Sequence, residues 1–216
     1  MKLELNSENL NFHLDLIKKM CEENKSGADI SKYIEHMQKK SCIKILNNEL
    51  LLLQNELKTN IFKGWGNLNA GIFLAIDKPS DIIYNGGKDE ISNNMIASLL
   101  TNAAAKLNQK FDTSYIYKSF LLKGKCENKA NIGLYLSILE AELKIIKPKY
   151  VVCMGHLTSE LLIKKDYNPE QDGIYNENPM YVGTYNIFEI SQDKNVSMYK
   201  KNIWNKFELL KTEIEK

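Results

Sequence analysis

The sequence predicts an α/β domain, a three-layer sandwich in which helices cover both faces of a central, mostly parallel sheet of about four strands. Short, uncharged runs rich in β-branched residues alternate with longer segments whose apolar residues recur every three or four positions. The clearest example is the stretch from Ile145 to Ile163, which holds a helix end, a strand, a glycine turn and the start of another helix.

An extra helical region precedes this domain. Apolar residues at helical spacing indicate three helices, over Leu10 to Met20, Asp29 to Gln38 and Cys42 to Leu57. We therefore predict a helical extension over residues 1–60, packed on an α/β domain over residues 61–216. Amphipathic helices added to a core often bind partners, so a protein partner is expected here, with a buried helical cap as the alternative.

The α/β domain is predicted to alternate strands and helices. Pro148 ends the central helix because it lacks an N–H and disfavours helical geometry in the residue before it. Trp65 is either a stacking platform for a base or an aromatic that closes the bottom of the sheet. The predicted strands are Ala70 to Ile76, Ser114 to Leu122, Tyr150 to Met154 and two short strands around Gly183-Thr184. The predicted helices are Met95 to Leu107, Asn131 to Ile146, one that follows Gly155, and Ser197 to Glu215. Thr158 could cap the helix that follows Gly155.

Composition limits the class of protein. The chain has 216 residues, 44% of them hydrophobic, and no apolar run near the roughly 20 residues of a membrane span. The N-terminus lacks the apolar segment of a secretory signal, so a cytoplasmic location without membrane attachment is expected. Cys21, Cys42, Cys126 and Cys153 show no ligand spacing, which predicts no zinc, no iron–sulfur cluster and no other cofactor.

The basic residues are all lysines, 29 of them, for a net charge of +2. Without arginine, bidentate contacts to phosphate or guanine are excluded. Binding to DNA would then depend on lysine charge, backbone N–H groups and aromatic stacking.

Polar residues follow the predicted strands at the edge where ligands bind in parallel sheets. We therefore expect one cleft formed by Asp77, Pro79, Ser80, Asp81, Lys118, Gly155, His156, Ser191 and Gln192. For the two aspartates the alternative is a carboxylate that caps a turn or helix, and for His156 it is an exposed turn residue without a role.

From Ala70 onward the order of elements resembles the uracil-DNA glycosylase superfamily, closest to its family 4 branch. The run IIKPKYVVCMG, from Ile145 to Gly155, is similar to that family's LIRPKVIVALG, and IDKPSD, from Ile76 to Asp81, keeps the Pro and acid of its first strand end. The family's LLxxML helix resembles Met95 to Leu100, its YITN strand Tyr115 to Lys118, and its closing strand and Trp-bearing helix Ile187 to Trp204.

The differences from the family fall on its chemistry. Excising uracil needs a pocket for a flipped base, a stacking aromatic, an amide that reads the base edge, a positioned water and a His donor. The family's stacking aromatic is replaced here by a residue near Lys88, its base-reading amide by Lys118, and its His-Pro pair by Ser191-Gln192. The positions of the family's cluster cysteines hold Leu121 or Leu122 and Tyr135. Of the catalytic groups, the resemblance leaves only Asp81 or Asp77 to orient water.

The resemblance implies a catalytically degenerate glycosylase-like domain that serves DNA repair or replication as an accessory or protein-interaction module. Single-stranded or uracil-containing DNA is the implied partner. One alternative is an active DNA glycosylase, hydrolysing the N-glycosidic bond with altered residues, in which Lys118 or Ser191 helps the leaving base. The other is a nucleotide or small-molecule binding α/β protein.

Overall fold

The computed structural model describes residues 27–57, 60–86, 116–124, 129–163, 174–175, 178–186 and 196–214. Contacts divide the chain into two compact units, Met1–Cys42 and Ile43–Lys216. The predicted helices at Leu10 to Met20 and Met95 to Leu107 lie outside the described residues, and so do Ser191, Gln192 and Lys88. The domain boundary predicted at residue 60 stays a prediction.

Helix α1 runs without interruption over Gly27–Leu57. We predicted two helices here, with a break between Gln38 and Cys42, and that prediction was wrong. The residues between them, Lys39, Lys40 and Ser41, are polar but contain no Gly or Pro, so nothing in their chemistry ends a helix. Within the first unit, the Nζ atom of Lys39 lies 3.2 Å from a carboxylate oxygen of Glu35, one turn away.

The second unit contains a six-stranded sheet in the order β1-β3-β2-β4-β6-β5. The four central strands are parallel, and the two-residue strands at the edges are antiparallel. The strands are β1 (Trp65–Gly66), β2 (Ile72–Ile76), β3 (Ile116–Phe120), β4 (Tyr150–Met154), β5 (Ile174–Tyr175) and β6 (Met180–Thr184), and the helices are α2 (Asp81–Tyr84), α3 (Lys129–Ile146), α4 (His156–Ile163) and α5 (Val196–Ile214).

Side chains alternate between the two faces of the sheet, as the strand geometry requires. On one face, Leu74, Val152 and Val182 pack with Ile203 and Phe207 of α5. The opposite face packs against α3 and α4 through Phe73, Ala75, Val151 and Cys153, which contact Leu139, Ile146, Leu162 and Ile163. Helices therefore cover both faces of a mostly parallel sheet, which confirms the predicted α/β sandwich.

Local sequence signals placed several ends correctly. Helix α3 ends at Ile146, two residues before Pro148, and β4 has the predicted bounds. The first of the two strands predicted around Gly183-Thr184 is confirmed as β6, whereas most of the second, residues 187–190, lies outside the described part of the chain. β6 pairs in parallel with β4, and its antiparallel neighbour, β5, precedes it in the chain. None of the described helices combines the length and the hydrophobicity that a membrane span requires.

Candidate functional site

The carboxyl ends of β2, β4 and β6 lie side by side. Ile76 pairs with Met154, and Met154 pairs with Thr184. The ladder continues one residue further, because the N–H of Asp77 donates to the carbonyl of Met154 at 3.0 Å and that of Gly155 to Thr184 at 2.8 Å. The segments that begin at Asp77 and at Gly155 therefore start at one edge of the sheet, as the parallel arrangement predicted.

The carboxylate of Asp77 caps helix α4, although the two lie far apart in sequence. Its Oδ2 accepts a hydrogen bond from the N–H of Leu157 at 3.1 Å, and its Oδ1 accepts one from the N–H of Thr158 at 2.6 Å. The Thr158 hydroxyl donates to the same Oδ1 atom. Because the first N–H groups of a helix have no partners within it and favour a negative charge, this carboxylate occupies the anion-binding end of α4.

Gly155 leaves room for that carboxylate. Its φ of 127° lies in a region that favours glycine. A Cβ atom on Gly155 would lie 2.1 Å from Cγ of Asp77. Asp77 is itself 7% exposed. Both of its oxygens are thus engaged with α4 in a closely packed turn, an arrangement that favours the capping role over the activation of a water.

The prediction that Thr158 could cap this helix is wrong. Helix α4 begins at His156, which places Thr158 inside its first turn as a donor to Asp77. The capping group is the residue directly after β2, and no local pattern connects this segment to α4.

The residues that follow Asp77 differ in their exposure to solvent. Pro79 and Ser80 are buried, and Asp81, the first residue of the four-residue helix α2, is exposed. The Ser80 hydroxyl makes no capping hydrogen bond and finds no partner among the described residues. Of the two predicted catalytic carboxylates, Asp81 is therefore the one that solvent or a substrate can reach.

Lys118 does not lie at the carboxyl edge. It is the middle residue of β3, where it pairs with Leu74 on one side and Trp65 on the other. It is half-buried, and burial lowers the pKa of its ammonium group. Its inclusion among residues that follow strand ends was therefore wrong. Trp65, beside it, is 40% exposed and its ring centroid lies 5.2 Å from that of Phe120, so it is not a buried plug, and its role as a stacking platform stays a prediction.

His156 lies on the solvated face of α4. Its Nε2 atom is 3.8 Å from a carboxylate oxygen of Glu160, one turn along the helix, and both side chains are largely exposed. Ser191 and Gln192, the remaining predicted binding residues, are outside the described part of the chain. The structure thus brings Asp77, Pro79, Ser80, Gly155 and His156 to one edge and places Lys118 elsewhere.

Sequence reasoning missed a buried polar cluster beneath α3. The Nζ atom of Lys123 lies 2.5 Å from Oγ of Ser119 and 2.9 Å from Oε2 of Glu142, and the Ser119 hydroxyl donates to the same carboxylate oxygen at 2.6 Å. None of the three side chains is more than 1% exposed. One signal was available: Glu142 interrupts the apolar residues that α3 directs at the sheet. The burial of Lys123 could not be predicted, because this residue begins a charged segment whose composition is typical of a loop.

A lysine beside a serine can activate a nucleophile, but this cluster is closed. The N–H of Gly64 donates to Oε1 of Glu142 at 3.3 Å. A Cβ atom on Gly64 would lie 2.4 Å from the Tyr117 hydroxyl, so the backbone packs directly over the cluster. Burial lowers the pKa of Lys123, while the Glu142 carboxylate acts in the opposite direction. The arrangement is that of a structural ion pair.

Within the described ranges, no group of three or more His, Cys, Asp or Glu side chains could hold a metal ion. Cys42 is exposed and Cys153 is buried, and both are free thiols. Cys21 and Cys126 lie outside these ranges.

Compared with protein-family models and with curated proteins, the chain matches no family model and no curated protein.

Proposed function

We propose that this chain is a non-catalytic relative of the uracil-DNA glycosylases that associates with DNA as an accessory protein in repair or replication. The observation that carries the proposal is the state of Asp77. Its carboxylate, one of two that could orient water, accepts hydrogen bonds from Leu157 and Thr158 and is closed off by Gly155. A carboxylate held in this way stabilises a helix and is not available to a water.

The other matched positions support the same proposal. Lys118 occupies the place of the family's base-reading amide, and a lysine has only donors where a uracil edge presents both donors and acceptors. Asp81 is exposed to water, whereas a base-excision site needs a closed pocket around a flipped base. Losing one group that stabilises the transition state can cost about 100- to 1000-fold in rate, so losing several abolishes useful activity.

Affinity for DNA would come from lysine charge. Binding of this kind releases counterions, so the affinity for DNA falls steeply as the salt concentration rises. It would distinguish poorly between uracil and thymine, because no matched residue reads the base edge.

The test combines two assays on the same oligonucleotides. Fluorescence anisotropy measures binding to single and double strands with and without uracil, and a gel assay measures strand cleavage at uracil. We expect salt-sensitive binding without base preference, and cleavage at background. Asp81→Asn and Asp77→Asn serve as a matched pair, since the first removes the accessible carboxylate and the second the capping one.

Two results would overturn the proposal. Robust cleavage of uracil-containing strands that Asp81→Asn abolishes would make the protein an enzyme. Absence of binding to any DNA at low salt would remove the association with DNA. A protein-docking role would then be the hypothesis to test, beginning with Leu51 and Leu52 of α1, which are 43% and 60% exposed.

A further inference from the structure

A cavity of about 670 Å³ lies at the amino-terminal edge of the sheet, the edge opposite the site described above. It is bounded by the end of α3, by Pro148 before β4, and by Asn178 and Pro179 before β6. This volume lies within the range of about 300–1,000 Å³ that is typical of small-molecule sites.

The lining divides into an apolar wall and a charged rim. The wall is formed by Leu143, Pro148, Leu162, Pro179 and the ring of Tyr181. The rim carries Lys144 and Lys147, both exposed, together with Glu140 and Asn178. A mostly apolar wall with a few polar groups beside it is the composition typical of small-molecule sites.

Lys147 holds its charge at this rim in a backbone conformation that is costly for lysine. Its φ is 55°, in the left-handed region, and its N–H donates to the carbonyl of Leu143 at 2.9 Å. This is the helix-terminating position where glycine is normally found, and a side chain there is disfavoured by about 1 kcal/mol. A lysine at the end of α3 complements the helix dipole, but Lys144 already does so. The dipole therefore does not require the second lysine.

We propose that this cavity binds a mononucleotide or a closely similar molecule, with a planar ring system against the apolar wall and a phosphate or carboxylate at Lys144 and Lys147. Within the described part of the chain, neither lysine forms an ion pair, so both ammonium groups are available to an anionic ligand. Glu140 can accept hydrogen bonds from the ribose hydroxyls or from an amino group of the base.

Tyr181 adds a neutral donor. With its ordinary pKa of 10.0 the hydroxyl is protonated at neutral pH, and burial, followed by negative charge at Cys153 and Glu140, raises that pKa further. A free inorganic anion would use only the rim, and an uncharged aromatic would use only the wall. A nucleotide uses both. This inference does not rest on the proposed association with DNA.

The test is isothermal titration calorimetry of the full chain with AMP, UMP, the corresponding nucleosides and inorganic phosphate. We expect the nucleotides to bind at least about tenfold more tightly than the nucleosides or phosphate, because each lacks one half of the recognition. Lys147→Gly should weaken nucleotide binding about tenfold or more, and Lys144→Gln by a similar factor.

Lys147→Gly is an informative variant because glycine favours the left-handed backbone conformation of this residue. The folded state of the variant should therefore be at least as stable as that of the parent. Lys149→Gln is the matched control. It removes an equal charge two residues away, from a lysine that does not line the cavity. Thermal unfolding of each variant separates lost binding from lost structure.

Three results would overturn the inference: no heat with any nucleotide, equal affinity for nucleotide and nucleoside, or equal losses in Lys147→Gly and Lys149→Gln. A 5′-phosphorylated dinucleotide and a longer strand distinguish the sources of the ligand. Binding that weakens with strand length indicates a free nucleotide, and binding that is retained indicates a strand end.

Discussion

Asp77 and Thr158 lie 81 positions apart in sequence, yet the carboxylate of the first accepts hydrogen bonds from both the N–H and the hydroxyl of the second. The contact exists because β2 and β4 are parallel neighbours, so that the residue after one meets the helix that follows the other. It fixes the start of α4 to the end of β2 and leaves the carboxylate little freedom for chemistry.

Gly155→Ala tests how closely this turn is packed. The new methyl group would overlap the Asp77 carboxylate and also adopt an unfavourable φ, so we expect the free energy of unfolding to fall by at least about 2–3 kcal/mol. Gly86→Ala is the control. Gly86 also has a positive φ, of 81°, but no atom lies within 4 Å of an added Cβ.

Urea denaturation of the two variants separates the cost of the unfavourable φ from the cost of overlap with the Asp77 carboxylate. Gly86→Ala should cost only about the 1–2 kcal/mol of its backbone conformation. Equal losses in the two variants would mean that the turn at Gly155 relaxes freely, and the capping role of Asp77 would lose its support.

The buried ion pair between Lys123 and Glu142 gives a second prediction. Lys123→Met leaves a carboxylate buried without its cation, which should lower the free energy of unfolding by about 3–5 kcal/mol. The double variant Lys123→Met/Glu142→Gln removes both charges and keeps an acceptor for Gly64. Its loss should be smaller than the sum of the two single losses by at least about 1 kcal/mol.

Urea midpoints of the four proteins in this cycle provide the measurement. The surface pair Lys39–Glu35 in α1 serves as a reference, for which removing either partner should cost no more than about 1 kcal/mol. Strictly additive losses at Lys123 and Glu142 would show that the two charges do not interact in the folded state.

Features set by residues close together in sequence could be predicted, whereas features set by contacts between distant segments could not. Chemistry within a few residues ended α3 shortly before Pro148 and placed the turn at Gly155, and both were predictable. The same local reasoning failed at Lys39 to Ser41, where polarity suggested a break but helix propensity continued α1. Sheet order decides which segments meet, so the sequence could suggest that Asp77 caps a helix but not which helix, and it could not show that Lys123 pairs with Glu142. The cavity near Lys147 was missed for the same reason.

Alkaline pH should weaken the fold through two buried groups. Burial and the nearby Asp77 charge raise the pKa of the Cys153 thiol above its ordinary value of 9.0, and burial and the Glu142 charge raise the pKa of Tyr117 above 10.0. In the unfolded chain each group loses its proton near its ordinary value, whereas in the folded state it stays protonated. Stability that is complete below pH 9.0 is therefore lost as the pH rises.

Each such group contributes a slope of about 1.4 kcal/mol per pH unit above its ordinary pKa. Lys123 acts in the opposite sense, because its lowered pKa makes stability rise up to its ordinary value of 10.5. Urea denaturation between about pH 8 and pH 11 should show a shallower fall for Cys153→Ala than for the parent. Cys42→Ala, at an exposed thiol, is the control. Identical slopes in all three proteins would rule out Cys153 as a source of the pH dependence.

Lys118→Asn should not create uracil excision, although it restores the amide that the resembling family uses to read the base. Lys118 lies in the middle of β3 beside Trp65, and the Asp77 carboxylate is engaged with α4. By the resemblance, Ser191-Gln192 takes the place of the family's His-Pro pair, so the His donor is missing as well. Groups that act together in catalysis have strongly non-additive effects, so returning one of them recovers almost nothing. The measurement is strand cleavage at uracil in single-stranded DNA under single-turnover conditions, with the parent chain and Lys118→Gln as references. An increase of about tenfold or more over both references would show that the remaining groups, Asp81 first among them, already form a working site.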